Sequence, residues 1–296
     1  MTNRIKRAAL ALAATLMLTA CSGGNSAVSG AGSSASSAEG TESAPVESAG
    51  QTTGEASGTA DAGADITVEV PQDETAAATT EDEEMSEEVK YIALTFDDGP
   101  NATTTNEVID KLEKYGIVAS FFLVGNNVND ESAKAVKRAY DLGCEIDNHS
   151  RTHSNMTELS AEEIKAEFDY TDEKVYEITG EHTKFFRPPY IAVHQIMFDN
   201  IDVPFIAGIG ANDWEDRVTA EMRARMILKQ AKDGDIILLH DAEGNSMTVE
   251  ALDTIIPELQ KQGYKFVTVT ELFSAKGIIP DMEKVYTNVT QKYQYN

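Results

Sequence analysis

The first ninety residues contain no Phe, Tyr or Trp, and Tyr91 is the first aromatic. A segment without aromatics buries little apolar surface and does not fold on its own. That leaves about two hundred residues, enough for one substantial α/β domain. Basic residues are scarce as well: no Lys or Arg occurs from Ala8 to Val89, and the chain carries a formal net charge of −26. Such a surface repels phosphate backbones and anionic headgroups, which speaks against nucleic-acid binding and against electrostatic docking on a membrane. Cysteine is nearly absent, with only Cys21 and Cys144. Cys21 falls in a targeting segment, so no intramolecular disulfide framework is expected. Cys144 reads as a small structural thiol.

What the N-terminus does have is an address. Arg4, Lys6 and Arg7 form a basic region, and Ala8–Ala20 an apolar one. Together they read as a signal peptide, too short for a comfortable membrane span. Leu18-Thr19-Ala20-Cys21 resembles a bacterial lipobox, which implies cleavage before Cys21 and a lipid on its sulfur; the alternative is an ordinary secretory signal. Residues 1–21 are therefore expected to be a lipoprotein signal, and residues 22–89 a disordered acidic Ser/Gly/Ala/Thr-rich linker. As a flexible coil that linker spans about 45 Å on average. The expected location is the outer face of a bacterial cell membrane, held by the lipid alone, or outside the cell.

From Lys90 the pattern changes to short apolar runs separated by helical periodicity. Strands are expected at Tyr91–Phe96, Val118–Val124, Glu145–Asp147, Lys184–Phe186, Pro204–Gly210, Asp235–His240 and Tyr264–Val269. Helices are expected at Thr103–Lys114, Glu131–Asp141, Ser160–Ile178 (with a Ser160/Glu163 capping box), Thr219–Lys232 and Thr248–Gln262, the last interrupted near Pro257. The alternation predicts an α/β fold with parallel strands, a distorted (β/α) barrel of about seven strands, with an open doubly wound sheet as runner-up. The domain is placed at 90–275 and a C-terminal tail at 276–296. Asp97, Asp98, His149, His153, Arg187, Asp213 and His240 all fall at C-terminal ends of expected strands or just beyond, the face where barrels gather catalytic groups.

Taken singly, each motif has a plain structural reading. Asp97-Asp98-Gly99-Pro100 is an acceptable turn. His149 and His153, four apart, can converge on one metal or make unrelated hydrogen bonds. Arg187-Pro188-Pro189-Tyr190 is a stiff segment or merely a kinked loop. His240 can be a satisfied buried histidine, and Trp214 after Asp213 simply core.

Their order is more informative. Thr95-Phe96-Asp97-Asp98-Gly99-Pro100, His149-Ser150-Arg151-Thr152-His153, Arg187-Pro188-Pro189-Tyr190, Asp213-Trp214 and Leu238-Leu239-His240 resemble the five motifs of the polysaccharide deacetylases, carbohydrate esterase family four, also called the NodB homology domain. The resemblance runs from Lys90 to about Phe273. It implies that Asp98, His149 and His153 hold a divalent metal, zinc or else cobalt. Asp97 would be the general base for the attacking water, and His240 the general acid. Arg187 would orient Asp97, and Asp213 would support the charged network. Tyr190 would offer its backbone N–H to the oxyanion, while Trp214 and Leu238 would shape a pocket for the acetyl methyl.

Two departures stand out. Many members carry an acid three residues before the Asp-Trp aspartate, where this chain has Gly210, so the tuning of His240 falls to Asp213 or to nothing. Many also have Gly after the Arg-x-Pro-Tyr motif, where this chain has Ile191. The stretch Pro188–Asp213 looks closer to the acetylxylan esterase branch than to the chitin-active one. The expected reaction is metal-dependent removal of acetyl groups from an acetylated polysaccharide or oligosaccharide, first of all N-acetyl groups of cell-wall or chitin-like glycans. The alternatives are an O-acetylxylan esterase and, from another class, an inactive carbohydrate-binding lipoprotein. No motif bears on oligomeric state.

Overall fold

The computed structural model describes residues 89–291. The expected signal peptide, the lipobox-like stretch with Cys21 and nearly all of the expected linker lie outside the described residues.

The sheet is built around β1 (Lys90–Asp97), flanked by β2 (Ser120–Leu123) and β6 (Ile236–His240). Beyond them lie β3 (Glu145–Asn148) next to β2 and β5 (Ile209–Gly210) next to β6, giving the order β3-β2-β1-β6-β5. Every pairing is parallel, and β7 (Tyr264–Val267) pairs with the first half of β1, whereas β2 pairs with its end. A second pair, β4 (Phe205–Ile206) with β8 (Val285–Tyr286), joins the ring through Phe186, which makes parallel bridges to Asn148 on one side and Phe205 on the other. Just past β8, Asn288 bridges antiparallel to Asp235, immediately before β6, so the strands close on themselves as an irregular α/β barrel, in line with expectation.

Strand alternation sorts the side chains. Ile92, Leu94 and Phe96 of β1 pack with Val108, Ile109 and Leu112 of α1 (Thr104–Tyr115) and with Leu252, Ile255 and Leu259 of α6 (Ser246–Lys261). Ala93 joins Phe122, Ile206 and Ile236 in a separate cluster. Asp97 shares the parity of Ala93 and Thr95, so the period of two that buries the helix-facing residues also turns Asp97 to the opposite side.

Local signals behave as their chemistry dictates. Gly116 ends α1 at φ 62°, a left-handed cap that costs a glycine little. Ser160 and Glu163 form the reciprocal capping box at the start of α3 (Ala161–Thr179). Between them lies α2 (Ser132–Asp141), and α4 (Gln195–Asn200), α5 (Ala220–Gln230) and α7 (Val269–Ala275) complete the set.

Several expectations need correction. Pro204–Gly210 is not one strand but two short pieces, because the chain passes so close to β6 at Gly208 that a Cβ there would lie 2.7 Å from the Leu238 Cβ. Lys184–Phe186 is reduced to bridges at Phe186. Helix α6 runs through Pro257 without interruption. Within the stretch placed as a C-terminal tail, Val285, Tyr286 and Val289 are buried, and β8 pairs with β4.

Candidate active site

Asp97 ends β1 and is 2% exposed. Arg187, which follows the bridging Phe186, is wholly buried and donates from Nη1 to Asp97 Oδ1 at 2.5 Å and from Nη2 to the Ala207 carbonyl at 2.8 Å. Its guanidinium lies 4.1 Å from the centre of the Phe122 ring. Burial disfavours the arginine's charge, and the Asp97 carboxylate offsets that. The pair fixes Asp97 in one orientation.

Asp98 turns away from Asp97 at φ 72°. It meets His149 and His153, and the ligand atoms of the three lie within 4.8 Å of one another. Asp98 Oδ1 is 3.4 Å from His153 Nε2 and 3.6 Å from His149 Nε2. Donors about 2.1 Å from a tetrahedral cation stand about 3.4 Å apart, so this spacing suits one. The tautomer of His149 suits it too: Nδ1–H donates to the Arg187 carbonyl at 2.7 Å, which leaves Nε2 bare toward Asp98. Burial lowers the His149 pKa, with the Asp97 and Asp98 charges pushing back. Two imidazoles and one carboxylate with open positions are a donor set for zinc, cobalt or a similar divalent ion.

His240 ends β6, beside Asp97 in register. Asp213 holds it twice, accepting from Nδ1 at 2.8 Å and from the backbone N–H at 2.8 Å. Burial is the largest influence on the His240 pKa and lowers it, but the Asp213 bond and charge, with Asp97 and Asp98, outweigh it and raise the imidazole to about 9. For Asp213 burial works upward, and the bonds from His240 and Thr248 prevail, so its pKa falls. The tuning of His240 therefore rests on Asp213, and Gly210 is not needed for it.

The remaining expected residues are placed unevenly. Trp214 is 61% exposed and sets its edge against His240, the ring centres 5.6 Å apart. Tyr190 is 69% exposed and sits edge-on to His153 at 4.8 Å. Leu238 is two residues before His240 on β6 and almost buried, but it does not line the 260 Å³ cavity that Asp98, Asp213, Trp214 and His240 share. Cys144 is a buried free thiol whose pKa burial pushes up to about 11, as a structural cysteine should be.

All six non-glycine residues with left-handed backbone among the described residues lie in these loops: Asp98, Ser150, His153, Tyr190, Ile191 and Asn212. Each such residue costs of order 1–3 kcal/mol and persists only where its surroundings hold it. Ile191, at φ 54°, takes on a β-branched side chain the conformation a glycine would adopt freely.

The sequence reading missed the groups that brace this arrangement. Asp241 is fully buried: Oδ1 accepts from Gly99 N–H at 3.1 Å, Oδ2 from the Thr105 hydroxyl at 2.5 Å, and its own N–H donates to the Asp97 carbonyl at 3.0 Å. A Cβ on Gly99 would lie 2.5 Å from that carboxylate, so only glycine fits there. Burial, with the nearby Asp98 charge, pushes the Asp241 pKa up to about 7 against the Thr105 bond. Behind Asp213, Thr248 donates to its Oδ2 at 2.7 Å, and buried Arg223 donates to Thr248 at 2.8 Å and to Asn245. Asp241 directly follows the last motif residue, the one signal that pointed to it. Arg223 and Thr248 had none beyond helical spacing.

The polysaccharide deacetylase family profile matches residues 84–200. A family 4 acetyl xylan esterase from Clostridium thermocellum, solved in complex with a cobalt ion, superposes with a TM-score of 0.67 at 43% identity, over 68% of this chain and 100% of that one. The chain belongs to the polysaccharide deacetylase family. A bifunctional xylanase/deacetylase of Pseudobutyrivibrio xylanivorans is 52% identical over 201 residues, 68% of this chain and 33% of that protein. A peptidoglycan-N-acetylglucosamine deacetylase of Bacillus cereus is 37% identical over 201 residues, 65% of this chain and 92% of the relative. The chain thus spans about a third of the xylanase/deacetylase it resembles, and nearly all of the Bacillus cereus protein.

Proposed function

We propose that residues 90–291 form a hydrolase that removes acetyl groups from a polysaccharide, using a divalent cation held by Asp98, His149 and His153. The observation that carries this is the division of labour around that donor set. A buried carboxylate fixed by Arg187 and an imidazole kept protonated by Asp213 stand in register at the ends of neighbouring strands.

Asp97 takes a proton from the attacking water, and Arg187 keeps its carboxylate aimed. The Tyr190 N–H donates to the oxygen that gains charge as the carbonyl becomes tetrahedral. His240, whose Nδ1 is engaged by Asp213, delivers its Nε2 proton to the departing nitrogen or oxygen, releasing acetate and a free amine or hydroxyl. A bound divalent cation supplies Lewis acidity, polarising the acetyl carbonyl and bringing the pKa of water toward neutrality. The residues suit zinc, with cobalt the alternative; the cobalt of the Clostridium thermocellum esterase supports a divalent ion at this kind of site.

Two substrates have support. An amine leaves poorly unless protonated, and a His240 pKa of about 9 favours N-acetyl groups such as those of cell-wall or chitin-like glycans. The two xylan-directed relatives, at 52% and 43% identity against 37% for the peptidoglycan enzyme, favour O-acetylxylan. Acetate release from peptidoglycan, N-acetylchitooligosaccharides and acetylated xylan, measured side by side, tests the proposal. No acetate from any of the three would leave an inactive carbohydrate-binding protein as the reading.

The location follows from Met1–Cys21: export, cleavage before Cys21, and a lipid that tethers the domain at the outer face of the membrane. Cys21→Ala is expected to release the protein, and membrane retention with no lipid mass on Cys21 would refute the tether.

A further inference from the structure

The reaction centre lies where two hollows meet. One, of 260 Å³, passes over Trp214, Asp216 and Glu243; the other, of 450 Å³, passes over Asn101, Asn126, Asn127, Glu131 and again Glu243. Asp98 lines both. Two hollows joined at Asp98 and Glu243 leave room for a chain that continues past the reacting sugar.

The charged residues lining that groove are mostly acidic. The lining holds no lysine, and its one arginine, Arg223, is 2% exposed and engaged by Val218, Asn245 and Thr248; Arg151 borders the second arm, its Nε donating to Asn126 Oδ1 at 3.3 Å. Some carboxylates elsewhere are paired, such as Asp253 with Lys111 and Lys114, Asp141 with Lys137, and Asp169 with Lys165. On the groove, Glu131 pairs with exposed Lys134, but Asp216 and Glu243 have no cationic group within 4.0 Å among the described residues. The centre itself is balanced, with Asp97 against Arg187, Asp213 against His240, and Asp98 in the cation's donor set. The unpaired charge is on the rim, where it meets the parts of the polymer that do not react.

We infer that Asp216 and Glu243 make the groove selective for neutral or ammonium-bearing glycan chains and against chains that carry carboxylates. This rests on the acetyl-hydrolase reading and narrows its substrate class. Like charges facing across a partly enclosed groove lower both encounter rate and affinity. The effect is screened by salt, because the Debye length at physiological ionic strength is about 8 Å. The rim also suits a chain already deacetylated at a neighbouring N-acetyl sugar, whose ammonium group it attracts.

The test compares kcat/KM on acetylated xylooligosaccharides of one length with and without a glucuronate side group, at low and high salt, with a neutral aryl acetate as a separate report on the reaction centre. The neutral chain should be preferred about five-fold or more at low salt, and the preference should shrink at high salt. Asp216→Asn combined with Glu243→Gln, both at exposed positions, should bring the ratio close to one. Cleavage of the aryl acetate with equal rates on both chains, or a ratio unmoved by the double variant, would overturn the inference while leaving the functional reading intact. No cleavage of aryl acetate or of either chain would overturn both.

Discussion

The role of Asp213 can be tested through the pH dependence of the reaction. His240 sits at about 9 because the Asp213 bond and charge overcome a burial that acts the other way. Asp213→Ala removes both. The remaining upward influences are the Asp97 and Asp98 charges, which a bound cation offsets, so the ordinary histidine value near 6.5 becomes a ceiling. At pH 8 a group of pKa 9 is about 90% protonated and one of 6.5 about 3%, so amide hydrolysis should fall at least about thirty-fold there. The loss should shrink towards pH 5.5, where both forms are largely protonated. In a pH profile of kcat/KM on an N-acetylated oligosaccharide, the basic limb near 9 should move to 6.5 or below. Asp213→Asn, which can keep a hydrogen bond but loses the charge, should place it between. The same pair links folding to pH: a raised His240 pKa gives stability fully present below about 6.5 and lost as pH rises through about 9. A basic limb that stays near 9 in the alanine variant would refute this reasoning.

Asp97→Asn should keep the bound cation, whose three ligands it leaves intact, and lose at least about a hundred-fold in turnover; metal analysis beside acetate release checks this, and loss of the cation would make Asp97 a ligand instead. Gly210→Asp should be accommodated, since a Cβ there meets only the Leu238 carbonyl at 3.7 Å. Because Asp213 already holds His240 at about 9, the added carboxylate should leave the amide-to-ester rate ratio unchanged at about pH 7, and a rise of several-fold would show that an acid at that place does tune His240. Asp241→Ala should leave the Gly99 N–H and the Thr105 hydroxyl buried without their acceptor, at a cost of roughly 2–4 kcal/mol, and should weaken cation affinity by loosening the Asp98 turn. Unchanged melting and cation titration would show that Asp241 does not brace that loop.

The motif residues could be found from sequence because the chemistry of a parallel barrel puts them in one kind of place, the ends of strands marked by apolar runs. Asp97 after Ile92–Phe96 and His240 after Ile236–Leu239 follow that rule, and the structure sets them side by side. Asp241, Thr248 and Arg223 act through long-range hydrogen bonds that no local pattern encodes. The same holds for the broken strand at Gly208, where the cause is the approach of Leu238, and for β8, whose partner β4 lies some eighty residues earlier. Pro257 misled in the other direction: a proline penalty is local, and the packing of Leu252, Ile255, Ile256 and Leu259 against β1 and α1 outweighs it.

The most direct test of the account is the dependence of acetate release on a cation held by Asp98, His149 and His153. Metal should be stripped with a strong chelator, its removal verified by elemental analysis, and single divalent ions returned while acetate release from an acetylated oligosaccharide is followed. The account predicts that turnover disappears with the metal and returns with about one zinc or cobalt ion per chain, and that His153→Ala needs a much higher concentration of the ion to recover. Undiminished turnover in a chain shown to be free of metal would contradict it.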